Sequence, residues 1–152
     1  MLDIVKKHLN DFNTSNWSGY KASYSPNANY QEMPSSDRIR GAEEITKAVQ
    51  KWKRAFPDLK GTIKSSFVEG DKIVAEVEWE GTHNGPLEGP LGTIQPTGRR
   101  GKVAAALIHK IEGGKIVDTR HYFDILTILS QIGAVPRLGT ATGGAAAQPA
   151  AI

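Results

Sequence analysis

Along the first third of the chain, hydrophobic positions recur every three or four residues, which is the period of an α-helix. One such stripe predicts a helix over residues 2–13, and another predicts a longer helix over 41–56 that ends at Pro57. The stripe of the longer helix consists of Ile45, Ala48, Val49, Trp52 and Phe56. Between these helices, residues 17–24 predict a short second helix and residues 28–33 a short strand.

From Leu59 the period changes to two, which is the pattern of half-buried β-strands. One hairpin is predicted over residues 60–83 with its turn at Gly70-Asp71, and another over 102–124 with its turn at Gly113-Gly114. The residues between them, 84–101, are rich in glycine and proline and predict a long loop.

A closing helix is predicted over residues 125–133, with Gly133 as its C-cap. Helices followed by hairpins and one terminal helix indicate an α+β fold. We expect a curved, mostly antiparallel sheet wrapped by the N-terminal helices, with a short C-terminal helix. The 152 residues predict one domain over 1–136 and a Gly- and Ala-rich tail over 137–152 that we expect to be disordered.

The composition narrows the possible functions. The chain contains no cysteine, which excludes disulfides and thiol nucleophiles, and its four histidines lack metal-ligand spacing, so no metal site is expected. The net charge of +3 is scattered and no nucleic-acid motif is present, so no nucleic-acid partner is expected. No apolar run is long enough for a membrane span and no signal peptide is apparent, so we expect a cytoplasmic protein.

The last predicted strand ends on a carboxylate, Asp124, directly before the closing helix. A carboxylate held in an apolar pocket at such a junction can act as a general base. The same position also suits an N-cap, because a carboxylate there can accept the free backbone N–H groups of the helix. The sequence leaves both roles open.

A two-residue turn at Gly113-Gly114 predicts which side chains share a face of the second hairpin. In a regular ladder, Glu112 pairs with Lys115 and His109 with Asp118. One face then carries His109, Leu107, Asp118, Arg120, Tyr122 and Asp124, and the other carries Ile108, Ala106, Val117, His121 and Phe123. About 20 Å would separate His109 from Asp124, so contact between them would require a bulge. A cross-strand pair with Asp118 is the alternative role for His109.

Several segments, in order and at the right approximate spacing, resemble the SnoaL-like polyketide (ester) cyclases of the nuclear-transport-factor-2-like superfamily. The resemblance extends over roughly residues 2–134. The matching segments are Arg40-Gly41, Ala55-Phe56-Pro57-Asp58-Leu59, Gly81-Thr82-His83, Pro96-Thr97-Gly98, Gly114-Lys115-Ile116-Val117, Tyr122-Phe123-Asp124 and Gln131-Ile132-Gly133.

The resemblance implies that the curved sheet is cone-shaped. It also implies an enzyme that closes a ring by intramolecular aldol condensation, without a metal or cofactor. It places Asp124 at the position of the family's acid/base and makes His109 the match for a pocket histidine. Glu32 lies near a variable pocket position. The implied ligand is a hydrophobic carbonyl compound, and the implied assembly is a homodimer formed through the sheet.

Three further side chains, His83, Arg120 and Trp52, have both a functional and an ordinary interpretation. His83, at the expected mouth of the cone, could donate to a substrate carbonyl or could be an exposed loop residue. Arg120 could stabilise an enolate or pair with a surface acid, and Tyr122 lies two residues further along. Trp52 could line a flat pocket or belong to the core. His8, on the first helix, is expected to be solvated.

Two rival functions remain on the same fold. The first is another enzyme, such as an isomerase, a hydroxylase or an epoxide hydrolase, because this cone-shaped fold hosts many reactions. An epoxide hydrolase would require Glu32 or Glu78 to converge with Arg120 near Asp124. A non-catalytic small-molecule-binding module is the other, and it predicts that Asp124 serves only as a cap.

Overall fold

The computed structural model describes residues 1–35, 37–89 and 92–135. The helices are α1 (Leu2–Asn13), α2 (Trp17–Ala22), α3 (Ala42–Ala55) and α4 (Ile125–Gln131). The strands are β1 (Tyr24–Glu32), β2 (Arg38–Arg40), β3 (Lys60–Glu69), β4 (Lys72–Thr82), β5 (Leu87–Gly89), β6 (Gly92–Ile94), β7 (Arg100–Glu112) and β8 (Lys115–Phe123). Within these ranges no helix has the length and apolar character to cross a membrane. The tail predicted over 137–152 lies outside the described residues.

Six strands form one sheet in the order β2-β1-β8-β7-β4-β3. All neighbours are antiparallel except β1 and β8, which run parallel, so the sheet is mixed. It does not close into a barrel, and the α+β fold predicted from the hydrophobic pattern is confirmed. The sequence pattern missed β2 and the small β5–β6 hairpin, which lies inside the predicted loop 84–101. Strands of three residues are too short to show a period of two.

The β7–β8 hairpin begins as predicted. Gly113 and Gly114 both have positive φ angles, +57° and +76°, as a two-residue turn that suits the twist of the strands requires. Glu112 pairs with Lys115, and Ile111 pairs with Ile116.

A bulge then shifts the register of this hairpin. Lys110 pairs with Asp118, so β8 carries one extra residue, Val117, at this point. His109 therefore pairs with Thr119 and not with Asp118, and the regular ladder predicted from the turn is wrong from this point onwards. Because side chains alternate along a strand, a slip of one residue exchanges the two faces.

The hydrophobic core consists of two clusters on the concave side of the sheet. The larger one joins α1, α2 and α3 to the sheet, and its buried residues are Val5, Phe12, Tyr20, Tyr24, Ala28, Tyr30, Ala42, Ile45, Val49, Ile73, Ala75, Val77, Ile111 and Ile116. The smaller one joins the end of α3 to α4 and β7 and contains Ala55, Phe56, Leu87, Val103, Ile128 and Ile132. The Gln131 side chain fastens α4 to β7, because its amide donates to the Lys102 carbonyl over 2.8 Å.

Candidate functional site

A cavity with a volume of about 90 Å³ extends through the concave side of the sheet, between the helices and the strands. Its lining is mostly apolar and comes from both core clusters. The lining side chains with hydrogen-bonding groups are His8, Tyr20, Tyr30, Glu32, Trp52, Trp79, His109 and His121. Lys102 also borders the cavity, but its side chain is exposed and pairs with Glu78. Of the residues predicted from the sequence to form the site, Glu32, Trp52 and His109 lie in this lining.

Five of these side chains form a continuous hydrogen-bonded chain, which we call the Glu32–His121 chain. The Glu32 Oε2 atom accepts from Trp52 Nε1 over 2.8 Å and from the Tyr30 hydroxyl over 3.0 Å. The Tyr30 oxygen lies 3.2 Å from His121 Nδ1. The Trp79 indole donates to His121 Nε2 over 3.1 Å. Strands β1, β4 and β8 and helix α3 thus each supply part of one polar network in an apolar lining.

These contacts determine the tautomer of His121. An indole N–H can only donate, so Nε2 must be the acceptor and the proton of the neutral ring lies on Nδ1. Nδ1–H then donates to the Tyr30 oxygen, and the Tyr30 hydroxyl donates to Glu32. Burial, together with the neighbouring His109, lowers the pKa of His121 to about 3, which keeps the ring neutral at physiological pH.

Glu32 supplies the carboxylate of the Glu32–His121 chain. Burial raises its pKa above the usual value, while the hydrogen bonds from Trp52 and Tyr30 and the charge of Lys51 partly offset this effect. Both of those bonds end on Oε2. Among the described hydrogen bonds, none ends on Oε1 of Glu32.

A second group of polar side chains lies where the cavity meets the larger core cluster. His109 Nδ1 lies 2.8 Å from the Thr119 hydroxyl, and the Tyr24 hydroxyl lies 3.4 Å from the same oxygen. His8 stacks on Tyr20 with ring centroids 4.1 Å apart and meets His109 edge-on at 5.9 Å. His8 is therefore buried, at 5% exposure, and the prediction that it is solvated is wrong.

Asp124 lies outside the cavity lining and is exposed. It is the N-cap of α4: its Oδ1 accepts the Leu126 backbone N–H over 3.0 Å, and its Oδ2 accepts the Thr127 hydroxyl over 2.8 Å. Of the two roles left open by the sequence, the geometry shows the cap. Both carboxylate oxygens are occupied by the helix they cap, so this arrangement gives no support to the acid/base role.

The three remaining predicted site residues also lie away from the cavity. His83 is fully buried behind Phe56, and its Nδ1 lies 3.0 Å from the Thr97 hydroxyl, so it is neither exposed nor part of the lining. Arg120 and Tyr122 are exposed on the convex face of the sheet, which is the face opposite the helices and the cavity. The Arg120 guanidinium lies 3.7 Å from Asp118, which is the surface pairing expected as its alternative role.

The convergence that an epoxide hydrolase would require does not occur in the described part of the chain. Glu78 pairs with Lys102 over 3.4 Å, and Glu32 faces the cavity, whereas Arg120 lies on the opposite face of the sheet. Nor do the described residues bring three His, Asp or Glu side chains together as a metal site.

Sequence reasoning missed five polar lining residues, which are His8, Tyr20, Tyr30, Trp79 and His121. A signal for His8 was present, because it lies three residues after Val5 and four before Phe12, on the apolar stripe of α1. The bulge at Val117 concealed His121, since it reverses the face on which that side chain lies.

Comparison with known proteins shows the family and the fold. A family model described as SnoaL-like polyketide cyclase matches residues 3–132, whereas no curated protein matches significantly. A candidate SnoaL-like polyketide cyclase from Jannaschia sp. CCS1 superposes with a TM-score of 0.79 at 20% identity, covering 89% of this chain and 92% of that one. AclR, a candidate hydroxylase from Streptomyces galilaeus, superposes with a TM-score of 0.75 at 21% identity, covering 92% and 89%.

A protein of ketosteroid isomerase-like fold from Catenulispora acidiphila superposes with a TM-score of 0.72 at 18% identity, covering 86% of this chain and 92% of that one. The first two neighbours are described by different activities and the third only by its fold, so the likeness establishes the fold without fixing a reaction. The family match covers most of the chain, including every strand of the main sheet and the whole cavity lining. This chain belongs to the SnoaL-like polyketide cyclase family.

Proposed function

We propose that the cavity catalyses proton transfer at a carbon next to a carbonyl group, leading to intramolecular aldol ring closure of a compact hydrophobic compound. One observation carries the proposal: a half-buried carboxylate, Glu32, lines an apolar cavity and is held by two donors on one oxygen, while no described hydrogen bond ends on its other oxygen. A fixed carboxylate in such surroundings has the position that a general base requires.

The electrostatics of Glu32 support this role. A free glutamate, with a pKa of about 4.3, is a weak base at neutral pH. Burial raises the pKa of Glu32 and so makes it a stronger base, while the donors from Trp52 and Tyr30 fix its orientation. A positioned base of this kind contributes roughly 10²–10⁴ in rate.

The proposed reaction balances with protein side chains and substrate alone. Glu32 Oε1 takes the proton from the activated carbon, and the electron pair of the broken C–H bond forms an enolate. The enolate carbon attacks a second carbonyl of the same molecule, which forms the new C–C bond and leaves an alkoxide. The protonated Glu32 returns its proton to this alkoxide, so the carboxylate is regenerated.

The size of the cavity favours a compact substrate. Pockets that hold drug-sized ligands have volumes of roughly 300–1,000 Å³. The cavity measures about 90 Å³ and is open on one side, so a compound of one or two rings, part of which extends through the opening, suits it better than a long multi-ring polyketide.

The test is hydrogen–deuterium exchange at C1 of 2-tetralone in D₂O, followed by ¹H NMR. This carbon is flanked by a carbonyl and an aromatic ring, so its proton is acidic enough for a carboxylate base. We expect the wild-type protein to accelerate exchange above the buffer rate and Glu32→Gln to lose roughly 10²-fold or more of that acceleration. Glu44→Gln, which changes an exposed carboxylate on α3 in the same way, is the matched control. Full exchange activity in Glu32→Gln would exclude Glu32 as the base.

A non-catalytic binding function is the second candidate, because Asp124 is occupied as a helix cap and the cavity is narrow. It predicts that 2-tetralone binds in the cavity but exchanges no faster than in buffer. The exchange experiment, combined with a titration of the same compound, therefore separates the two functions.

We also propose that the convex face of the sheet forms a homodimer interface. Phe67, Val74 and Ile108 pair side by side across β3, β4 and β7, which gives this face an apolar row. Phe67 is 58% exposed, so a second copy could cover it. We expect sedimentation to give a dimer and Ile108→Glu to give a monomer, whereas a monomeric wild-type protein would contradict the proposal.

A further inference from the structure

We propose that His8 and His109 form a second polar subsite at the inner end of the cavity, which binds an uncharged hydroxyl group of the ligand. This inference builds on the proposed function, because it describes the molecule whose carbonyl end Glu32 would act on. It adds that the opposite end of that molecule carries a hydroxyl group.

The first observation is an unpartnered polar atom. The Nδ1 atom of His8 is buried and has no hydrogen-bond partner among the described residues. A buried polar atom without a partner costs about 1–3 kcal/mol, and such atoms call for a specific explanation. Nδ1 itself has almost no accessible surface, whereas Nε2, to which no hydrogen bond is described either, is not among the inaccessible atoms. Because His8 is one of the cavity-lining residues, Nε2 is the atom that a ligand in the cavity can reach.

The ring of His8 is held in a fixed orientation. It stacks on Tyr20 at a centroid distance of 4.1 Å and an interplanar angle of 22°, and it meets the Tyr24 ring edge-on at 4.8 Å. A ring packed on both sides loses little further freedom when it binds a ligand, so its hydrogen-bonding atoms are preorganised.

His109 supplies the second half of the subsite. Its ring centroid lies 5.9 Å from that of His8, both rings line the cavity, and Thr119 occupies its Nδ1. A neutral imidazole has one donor and one acceptor nitrogen. A hydroxyl group both donates and accepts, so one hydroxyl can bond to both rings, whereas a carbonyl can only accept.

The charges around the subsite favour an uncharged group over a carboxylate. Burial lowers the pKa of His8 well below its usual value and that of His109 to about 4, so both rings are neutral at pH 7. Among the described lining residues, the only Lys or Arg is Lys102. It lies seven residues from His109 along β7, about 23 Å for an extended strand, and it pairs with Glu78 over 3.4 Å.

The sheet register fixes the spacing between the two polar ends of the ligand. His121 pairs with Leu107, two residues from His109 along β7. Such diagonal neighbours lie about 7–8 Å apart. Glu32 lies one strand beyond His121, with which it pairs. A ligand that reaches both Glu32 and the subsite therefore needs its carbonyl and hydroxyl groups at least this far apart, as in 6-hydroxy-2-tetralone.

The experiment is a calorimetric titration of the wild-type protein with 2-tetralone and with 6-hydroxy-2-tetralone. We expect the hydroxylated compound to bind about tenfold more tightly, because one net hydrogen bond to a buried group is worth roughly that factor. His8→Phe, which keeps a stacked ring but removes the nitrogens, should reduce the ratio of the two Kd values to about one. Lys7→Gln changes the exposed neighbour of His8 on the same helix and should keep the wild-type ratio.

Equal affinities of the wild-type protein for the two compounds would overturn the subsite. So would a tenfold ratio that persists in His8→Phe or, if that variant does not fold, in His8→Met, whose flexible apolar side chain can fill the same space. The result is separable from the proposed function. Exchange of 2-tetralone by the wild-type protein tests the chemistry at Glu32, and the hydroxyl preference tests the subsite, so either can fail while the other stands.

Discussion

The two faces of β8 carry opposite kinds of chemistry, although their residues alternate along one strand. The concave face carries Thr119, His121 and Phe123, which are buried or half-buried. The convex face carries Arg120, Tyr122 and, at the end of the strand, Asp124, which are exposed. The concave side chains form hydrogen bonds to other side chains around the cavity or pack against them. On the convex face, Arg120 pairs with a surface acid and Asp124 caps a helix.

A single extra residue decides which set faces the cavity. Val117 is the residue without a counterpart on β7, and the register beyond it places His109 opposite Thr119. In an unbroken ladder, Arg120 and Asp124 would share the face of His109, and the site would be built around an arginine and an aspartate. A bulge can therefore change the chemistry of a cavity without changing any of the residues that surround it.

The largest expected effect is on stability, when an aspartate is placed on each face of β8 in turn. Phe123→Asp removes an aromatic ring that packs 4.8 Å from His121 and 5.8 Å from Trp52, and it buries a carboxylate. We expect a loss of more than about 3 kcal/mol in the free energy of unfolding, measured by urea denaturation. Tyr122→Asp, one residue away on the exposed face, should cost less than about 1 kcal/mol. Equal costs, or the reverse order, would contradict the register.

Most of the fold could be predicted from the sequence, because its helices and long strands carry strong periodic patterns. Helix α1 and strand β3 begin and end at the predicted residues. The parallel pairing of β1 with β8 could not be predicted, since it joins segments that are far apart in the chain and have no turn between them to fix their register.

The site was harder to predict than the fold. Both faces of β8 carry apolar residues, Ile116 on one and Val117 beside it, so the hydrophobic pattern does not reveal a shift of one residue. Glu32, Trp52 and His109, which the sequence analysis named as site residues, lie in the cavity lining. The interpretation of Asp124 as a base rested on its position before a helix, and that position equally suits the cap that the structure shows.

The next effect is a dependence of stability on pH that comes from the concave histidines. The pKa of His121 is about 3 and that of His109 about 4, against about 6.5 in an unfolded chain. The unfolded chain therefore binds more protons at mildly acidic pH, so stability is complete above about pH 6.5 and falls as the pH decreases. At pH 5, each of these imidazoles accounts for a loss of up to about 2 kcal/mol.

Urea denaturation at pH 7 and pH 5 measures this loss, and His121→Phe identifies the share of His121. The variant should lose less stability between the two pH values than the wild-type protein does. An unchanged pH dependence would mean that His121 titrates normally in the folded state, as it would on an exposed face.

A smaller effect on catalysis is expected from neighbouring substitutions on the two faces. His121→Leu breaks the Glu32–His121 chain, because it leaves Tyr30 and Trp79 without their shared partner. We expect the exchange rate of 2-tetralone to fall about tenfold, which corresponds to ~1.4 kcal/mol in the activation barrier. Arg120→Leu, on the convex face, should change the rate by less than about twofold. A larger loss of rate in Arg120→Leu than in His121→Leu would mean that the chemistry takes place on the convex face, which would contradict the proposed site.

The smallest effect is expected at Asp124. Asp124→Ala removes two hydrogen bonds from the start of α4 and should cost about 1 kcal/mol of stability. Asp124→Asn keeps an oxygen that can accept from the Leu126 N–H, so it should recover part of that loss. Thermal unfolding of the two variants measures the difference. A loss of exchange activity comparable to that of Glu32→Gln in a folded Asp124→Asn would instead support the acid/base role implied by the family resemblance.

The central claim is that His121 faces the cavity as a neutral ring held between Trp79 and Tyr30. Long-range ¹H–¹⁵N NMR of the histidine side chains, recorded from pH 7 to pH 4, tests it most directly. The structure predicts that His121 carries its proton on Nδ1 and stays neutral over this range, in line with a pKa of about 3. A His121 ring that titrates near the unperturbed value of about 6.5 would contradict both the register of β8 and the site built on it.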